Sequence, residues 1–135
     1  TASHDDVMNR AFEIGEQAEA QREIRIVETL LTNAAKEQGG VIGLGDTLRA
    51  VHEGRVQTLV IAKGFRPDGY RCRSCEYMTA QELDSCSFCG GEFEHIPDAA
   101  ELAVSRILRD GGEVEVLHDN ELLIENGKIG ALLRY

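Results

Sequence analysis

The sequence contains no tryptophan, only two prolines and few aromatic residues, which make up 5% of its 135 residues. A buried core must therefore be built mainly from leucine, valine, isoleucine and alanine. No stretch approaches the roughly 20 apolar residues that a membrane-spanning helix needs. No charged-then-apolar leader opens the chain either. These absences predict a cytoplasmic protein without a membrane partner.

Positive charge is also scarce, since 14 lysines and arginines stand against 24 aspartates and glutamates, a formal net charge of −10. A domain this acidic repels the phosphates of nucleic acids at long range. The balance therefore favours a protein partner. The alternative is that the charge only keeps the domain soluble.

Length and composition fit one ordinary globular domain, because 42% of the residues are hydrophobic and 28% are charged. A chain this long can bury a core without needing a metal for folding as a whole. The first residue is Thr1 rather than methionine. We therefore expect the chain to be part of a longer protein.

All four cysteines fall into two pairs, Cys72 with Cys75 and Cys86 with Cys89, and ten residues separate the pairs. Two residues between ligands let each pair hold a metal from one tight turn, and two such turns supply the tetrahedral shell that zinc prefers. Disulfides and redox thiols are the competing interpretations. A redox pair would open a helix after a buried strand, whereas both pairs lie in polar, turn-rich sequence. The spacing predicts one structural zinc ion with no open position for catalysis.

The residues around the cysteines carry further expectations. Gly90 and Gly91 follow the second pair, where the backbone often needs a positive φ. Arg71 and Arg73 flank the first pair and are expected to offset its negative charge. His95 lies nearby and is expected to be a surface residue, because four sulfurs already complete the shell.

The N-terminal residues 5–37 read as one long helix. Two apolar stripes follow it, namely Val7, Ala11, Ile14 and Ala18, and then Ile24, Val27, Leu31 and Ala34. The phase slips between them, so the helix bends or turns its face there. The first stripe packs either on a preceding domain or on this domain's own core, and the sequence leaves both possibilities open.

Helices and strands alternate after residue 40. Residues 46–53 and 99–110 read as helices, the second capped by Asp98, and residues 56–62, 114–117 and 129–135 read as strands. Residues 121–126 fit either a hairpin or one capped helical turn, and local signals favour the hairpin slightly. The pattern predicts an α/β fold, a three-layer α-β-α sandwich. Its expected parts are an N-terminal helix at 1–40, a core at 41–65 and 97–135, and an inserted zinc ribbon at 66–96.

Two segments resemble the C-terminal domain of archaeal and eukaryotic class-1 peptide chain release factors, or of a bacterial relative. Residues 42–61 read IGLGDTLRAVHEGRVQTLVI, similar to a family pattern in which DTLKAL is followed by glycine and V-x-T-L-L-I. Residues 127–135 read GKIGALLRY, similar to the closing GGI-x-A-x-LRY. Residues 98–117 are similar to the helix and strand between these motifs, and the four-cysteine insertion is similar to that of archaeal members. The resemblance spans residues 25–135.

The resemblance implies the fold shared with kink-turn RNA-binding ribosomal proteins, and a helix at residues 121–126. It also implies a domain that does not catalyse but docks a translational GTPase and seats the factor on the ribosome, in termination, rescue or hibernation. The family's catalytic Gly-Gly-Gln is absent, because Gly-Gly is followed by Val41, Glu92 or Glu113. The codon-reading motif is absent too, so this chain is expected neither to read codons nor to release peptide.

Two rival functions rank below this one. An RNA-binding module of the kink-turn type would need a basic face, although Arg66, Arg71 and Arg73 could bring the ribbon against RNA. An enzyme would need a paired nucleophile, a phosphate loop or an open metal site, and none is recognisable. His52 and His118 are single histidines, expected to be packing or solvent residues. We therefore predict no enzyme activity and no small-molecule substrate.

Replacing Cys72 by serine is expected to release the metal and loosen the ribbon, because three sulfurs no longer close the zinc shell. The α/β core is expected to stay folded, since it has its own apolar strands and helices. Zinc content by atomic absorption and thermal unfolding by circular dichroism measure the two effects. Cooperative unfolding of the whole domain on chelation would contradict this separation of ribbon and core.

Overall fold

The computed structural model describes the backbone of residues 4–135 and the side chains of residues 18–135. The helices are α1 (His4–Ala35), α2 (Leu44–His52), α3 (Ala99–Arg109) and α4 (Glu121–Glu125). The strands are β1 (Gly40–Ile42), β2 (Val56–Ala62), β3 (Gly69–Cys72), β4 (Met78–Thr79), β5 (Phe93–Ile96), β6 (Glu113–Leu117) and β7 (Ile129–Leu133). No described helix combines the length and apolar character that a bilayer span requires.

Four strands form the main sheet, in the order β1-β7-β2-β6. Strand β7 is antiparallel to both of its neighbours, and β2 is parallel to β6. A second sheet, in the order β4-β3-β5, is antiparallel and belongs to the segment between β2 and α3. The cysteine-containing segment thus has a small sheet of its own.

Helices cover both faces of the main sheet. Successive side chains of a strand point to opposite faces, and in β2 the buried Leu59 and Ile61 join one apolar cluster while Val60 joins another. Helices α2 and α3 complete the first cluster, and α1 and α4 complete the second. The mixed α/β class predicted from the sequence is confirmed.

The central strand and the third helix follow the sequence prediction closely. Strand β2 has the predicted bounds, and all of its residues except Gln57 are buried. Asp98 caps α3, because its side chain accepts a hydrogen bond of 3.0 Å from the backbone N–H of Glu101. Leu108 lies on the outer face of this helix and is 58% exposed. Small residues bring α3 close to its neighbours instead, and its buried set is Ala99, Ala100, Ala103 and Ile107.

The first helix follows the predicted stripe in part, since Leu31 and Ala34 are half-buried. Val27 and Leu30 are fully buried, whereas Ile24 is 48% exposed, so the prediction for Ile24 is wrong. Ala18 is exposed. The remaining members of the first predicted stripe, Val7, Ala11 and Ile14, lie outside the residues whose side chains are described.

Residues 121–125 form a helix, so the hairpin that local signals favoured is wrong and the helical turn implied by the resemblance is right. The Asn120 side chain accepts a hydrogen bond of 3.0 Å from the N–H of Leu123 and so caps the helix. Leu123 is fully buried against α1. This one inward contact decides the conformation, and it depends on a distant part of the chain.

Strand β1 is not among the strands predicted from the sequence. It pairs with β7 from Gly40 to Ile42. A Cβ on Gly40 would lie 2.8 Å from the Cβ of Asn33, so glycine is needed where the chain turns back against α1.

Gly130 in β7 is predicted to be intolerant of a side chain. A Cβ there would lie 2.7 Å from Leu30 Cδ2 and 2.8 Å from the carbonyl oxygen of Val41. Gly130→Ala should therefore lower the free energy of unfolding by roughly 1–3 kcal/mol. Gly45→Ala is the matched control, since that site in α2 has no atom within 4 Å. It should leave stability unchanged or raise it by up to ~1 kcal/mol. Equal urea midpoints for the two variants would contradict this account.

Candidate metal centre

The two cysteine pairs lie on turns with the same backbone hydrogen bonds. The N–H of Cys72 donates to the carbonyl of Tyr77 (2.8 Å), and the N–H of Glu76 donates to the carbonyl of Cys72 (3.0 Å). In the second pair, the N–H of Cys86 donates to Gly91 (2.9 Å) and that of Gly90 donates to Cys86 (2.8 Å). The two turns are therefore equivalent, residue for residue. We call them the first and second knuckle.

Each knuckle has a left-handed residue four positions after its first cysteine. Gly90 has φ 77°, as expected, and Glu76 has φ 68° at the equivalent position. Glycine adopts this conformation without strain, whereas other L-residues seldom do. Gly91 is needed for space rather than conformation, because a Cβ there would lie 3.0 Å from the sulfur of Cys72.

The four sulfur atoms form a compact cluster. Cys72 Sγ lies 3.4 Å from Cys89 Sγ, and Cys75 Sγ lies 3.6 Å from Cys86 Sγ. All four lie within 4.8 Å of one another. Four sulfurs around zinc at ~2.3 Å would stand roughly 3.8 Å apart. The donor set and its spacing therefore fit a tetrahedral thiolate metal site.

The thiols differ in how readily they lose a proton. The backbone N–H of Cys75 donates to the sulfur of Cys72 and lowers the pKa of that thiol to about 6. Burial raises the pKa of the Cys75 thiol to about 12. A metal ion has to displace protons from such a cluster, because the thiolate and not the thiol is the ligand.

The arginines beside the first knuckle bind a carboxylate rather than the sulfurs. Arg71 donates to Glu94 at 2.7 Å and Arg73 lies 4.0 Å from the same carboxylate. The hydrogen bond from Arg71 lowers the pKa of Glu94. Glu94 therefore neutralises part of the charge of these arginines, and the expectation that they offset the thiolates stays a prediction. His95 is 57% exposed and lies 3.8 Å from Asp68, outside the sulfur cluster.

An aromatic cluster joins the knuckles to α2, and sequence analysis missed it. The ring of His52 lies 4.5 Å from that of Phe88 and 5.2 Å from that of Tyr77, and the rings of Tyr77 and Phe88 are 4.7 Å apart. Burial, and then the charge of Arg106, lower the pKa of His52. The sequence feature that could have indicated this cluster is an aromatic residue in or near each cysteine pair, Tyr77 for the first and Phe88 for the second. His52 is thus a packing residue.

The ribbon shares buried residues with the core. Met78 and Ile96 are 4% and 5% exposed and belong to the apolar cluster formed with α2 and α3. The N–H of Ala99 donates to the carbonyl of Pro67 at 2.9 Å, which fixes the start of α3 against the ribbon. Loss of metal is therefore expected to weaken the core where β4 and β5 touch it.

These features define a class of domain, a mixed α/β sheet that carries a two-knuckle, four-thiol insertion. No protein-family model matches the chain, and no curated protein matches it in sequence. Among solved structures, the fold matches the C-terminal domain of the peptide chain release factor from Methanosarcina mazei. The TM-score is 0.63 at 16% identity, over 99% of this chain and 96% of that one.

Two longer proteins share the fold. Pelota from Archaeoglobus fulgidus matches all of this chain with a TM-score of 0.63 and 18% identity, and the chain spans 37% of its length. Dom34 from S. cerevisiae matches 89% of this chain with a TM-score of 0.56 and 15% identity, and the chain spans 29% of it. Dom34 is described as a translation termination-like factor involved in RNA quality control and interacting with Hbs1. The resemblance seen in the sequence is confirmed at the level of the fold.

The equivalence of the knuckles predicts opposite effects for two substitutions. Glu76→Gly should raise the free energy of unfolding of the metal-loaded domain by up to ~1 kcal/mol, because glycine removes left-handed strain. Gly90→Ala should lower it by about 1 kcal/mol, because it introduces that strain. Thermal unfolding at saturating zinc measures both effects. A loss of stability in both variants would show that Glu76 is not strained.

Proposed function

We propose that the chain is the non-catalytic C-terminal domain of a release-factor-like protein acting in translation termination, ribosome rescue or hibernation. In this role it docks a translational GTPase or the ribosome. The observation that supports this most directly is the fold match over 99% of the chain and 96% of a release-factor C-terminal domain. The fold alone does not carry a function, so the motifs and the site have to agree with it.

The two sequence motifs of the resemblance are one structural unit. Residues 42–61 cover the end of β1, all of α2 and most of β2, and residues 127–135 cover β7. Strand β7 lies between β1 and β2. The motifs thus meet in the centre of the main sheet. This supports the proposed core at 41–65 and 97–135 as a three-layer α-β-α sandwich, with the N-terminal helix at 1–40 and the ribbon at 66–96.

The proposed metal is one structural zinc ion held by Cys72, Cys75, Cys86 and Cys89. Two equivalent knuckles, compact sulfur spacing and an all-thiol donor set support it. When bound, the ion would tie the two knuckles together as a closed four-sulfur site. The aromatic cluster of His52, Tyr77 and Phe88 would then hold the tied knuckles against α2.

The proposed partners follow from charge and from the structural neighbours. Dom34 is described as interacting with Hbs1, so a protein with this fold has a protein partner. A net charge of −10 favours a protein as the main docking partner and confines any contact with phosphates to a local group of cations. Cytoplasmic location follows if the partner is the translation machinery.

The docking proposal predicts capture of specific partners. The folded, zinc-loaded domain is immobilised and exposed to lysate of the source organism, with an unrelated acidic domain of equal charge as control bait. Mass spectrometry should show enrichment of a translational GTPase or ribosomal proteins. The captured GTPase is then purified and titrated into the domain by calorimetry, with and without a GTP analogue. Absence of both partner classes from the capture would mean that the chain shares the fold and not the function.

A further inference from the structure

Six of the described cations of this acidic chain have no carboxylate partner, and three of them lie close together. The paired arginines are Arg22, Arg49, Arg55, Arg71, Arg73, Arg106 and Arg109. Within the part of the chain that the structure describes, Lys63, Arg66 and Lys128 have no acidic oxygen within 4.0 Å. All three side chains are exposed. Arg25, Lys36 and Arg134 also lack an acidic partner, but Lys63, Arg66 and Lys128 are the three of these six that line one cavity.

The fold brings these residues together from distant parts of the sequence. Lys63 directly follows β2, and its N–H donates to the carbonyl of Leu117 at the end of β6 (2.9 Å). The N–H of Ala62 donates to the carbonyl of Lys128, just before β7 (2.9 Å). The three cations therefore surround the carboxyl end of the parallel pair β2 and β6. Open α/β sheets bind ligands preferentially at this end of their strands.

A cavity of about 350 Å³ lies among them. Lys63, Arg66 and Lys128 line it together with Phe65 and Ile124, and no acidic residue lines it. The ammonium of Lys128 lies 6.0 Å from the centre of the Phe65 ring. Lys128 is held there with φ 69°, a conformation that is uncommon for residues other than glycine. The site therefore presents positive charge around a partly apolar floor.

Two other cavities contain both cations and acidic residues. One, of about 580 Å³, shares Lys63, Phe65 and Arg66 but is also lined by Asp98 and Glu101. In the second, the arginines already have carboxylate partners. It has a volume of about 180 Å³ and is lined by Arg71, Arg106 and Arg109, together with the acidic Glu76. Glu94 binds Arg71, and Asp110 lies 3.2 Å from Arg106 and 3.8 Å from Arg109. Each of these three arginines thus already has a carboxylate partner. This contrast singles out the cavity that Lys128 lines together with Lys63 and Arg66, because no acidic residue lines it.

We propose that the cavity lined by Lys63, Arg66 and Lys128 binds the phosphodiester backbone of an RNA strand. The proposal rests on the proposed function, because the ribosome is where such a domain meets RNA. Cations from two chain segments around an open cavity suit a polyanion that passes across the sheet end. It also relocates the RNA contact suggested by the sequence. Arg66 belongs to this site, whereas Arg71 and Arg73 are bound to Glu94.

The number of contacts sets the expected salt dependence. Three cations on a single strand predict that the logarithm of the association constant falls with a slope of about −2 against the logarithm of salt concentration. Affinity should then drop ~20-fold between about 50 and about 200 mM salt. Each cation removed should reduce the slope by about 0.7.

The test measures binding of a fluorescent single-stranded oligouridylate by anisotropy, starting at low salt. The site variant is Lys63→Gln, Arg66→Gln and Lys128→Asn, the last chosen because asparagine tolerates a left-handed backbone. The matched control is Lys36→Gln, Arg49→Gln and Arg109→Gln, which removes the same charge at other exposed positions. Binding should persist in the control and be lost in the site variant. Equal loss in both, or no binding by the wild type at low salt, would overturn the proposal.

Amide chemical shifts locate the contact and separate the sources of phosphate. Oligouridylate should perturb residues 62–66 and 127–129, and inorganic phosphate at equal charge should not. Perturbation by phosphate alone would reduce the site to an ion-binding site and overturn the RNA proposal. Competition by polyglutamate as strong as by RNA would instead indicate an acidic-protein site.

The two proposals fail in distinguishable ways. If GTPase or ribosomal capture succeeds but the site variant keeps its RNA affinity, only the RNA site is wrong. If RNA binding behaves as expected but no translation partner is captured, the domain binds RNA outside the proposed role.

Discussion

Strand β7 holds the main sheet together, because it pairs with β1 on one side and with β2 on the other. The strand crosses the middle of the fold, where Ile129 and Ala131 are fully buried, and Gly130 leaves room for Leu30 of the first helix. Both apolar clusters depend on this pairing, since each contains a residue of β7. Segments that lie far apart in the sequence must therefore pair before either face of the sheet is complete. Such long-range contacts form slowly during folding.

The inserted ribbon is coupled to this core through a small number of side chains. Met78 and Ile96 enter the core cluster, while His52 connects α2 to the aromatic rings beside the thiols. The state of the sulfur cluster is thus mechanically connected to the helix that packs on the main sheet. A cluster of four thiols also carries more negative charge once deprotonated, and the neighbouring arginines are already bound to Glu94. A bound dication would be the natural counter-charge.

Local chemistry determined what could be predicted from the sequence. The run from Val56 to Ala62, the Asp98 cap and the paired cysteines are recognisable because neighbouring residues alone specify them. Strand β1 and helix α4 are different, since β1 exists only by pairing with β7, and α4 only because Leu123 is buried against α1. The pairing of Arg71 with Glu94 depends on the register of β3 against β5, which no spacing in the sequence reveals.

The position of Tyr77 gives the domain an optical property. The chain has three tyrosines and no tryptophan, so nothing absorbs the weak ultraviolet emission of tyrosine by energy transfer. Tyr135 is 72% exposed and faces water in any state, whereas Tyr77 lies against His52 and Phe88 between the knuckles and α2. Opening of the ribbon would move Tyr77 from aromatic neighbours into solvent. Tyr70 contacts His95 of the same segment and keeps that neighbour when the segment leaves the core. A change in tyrosine emission on opening would therefore come from Tyr77.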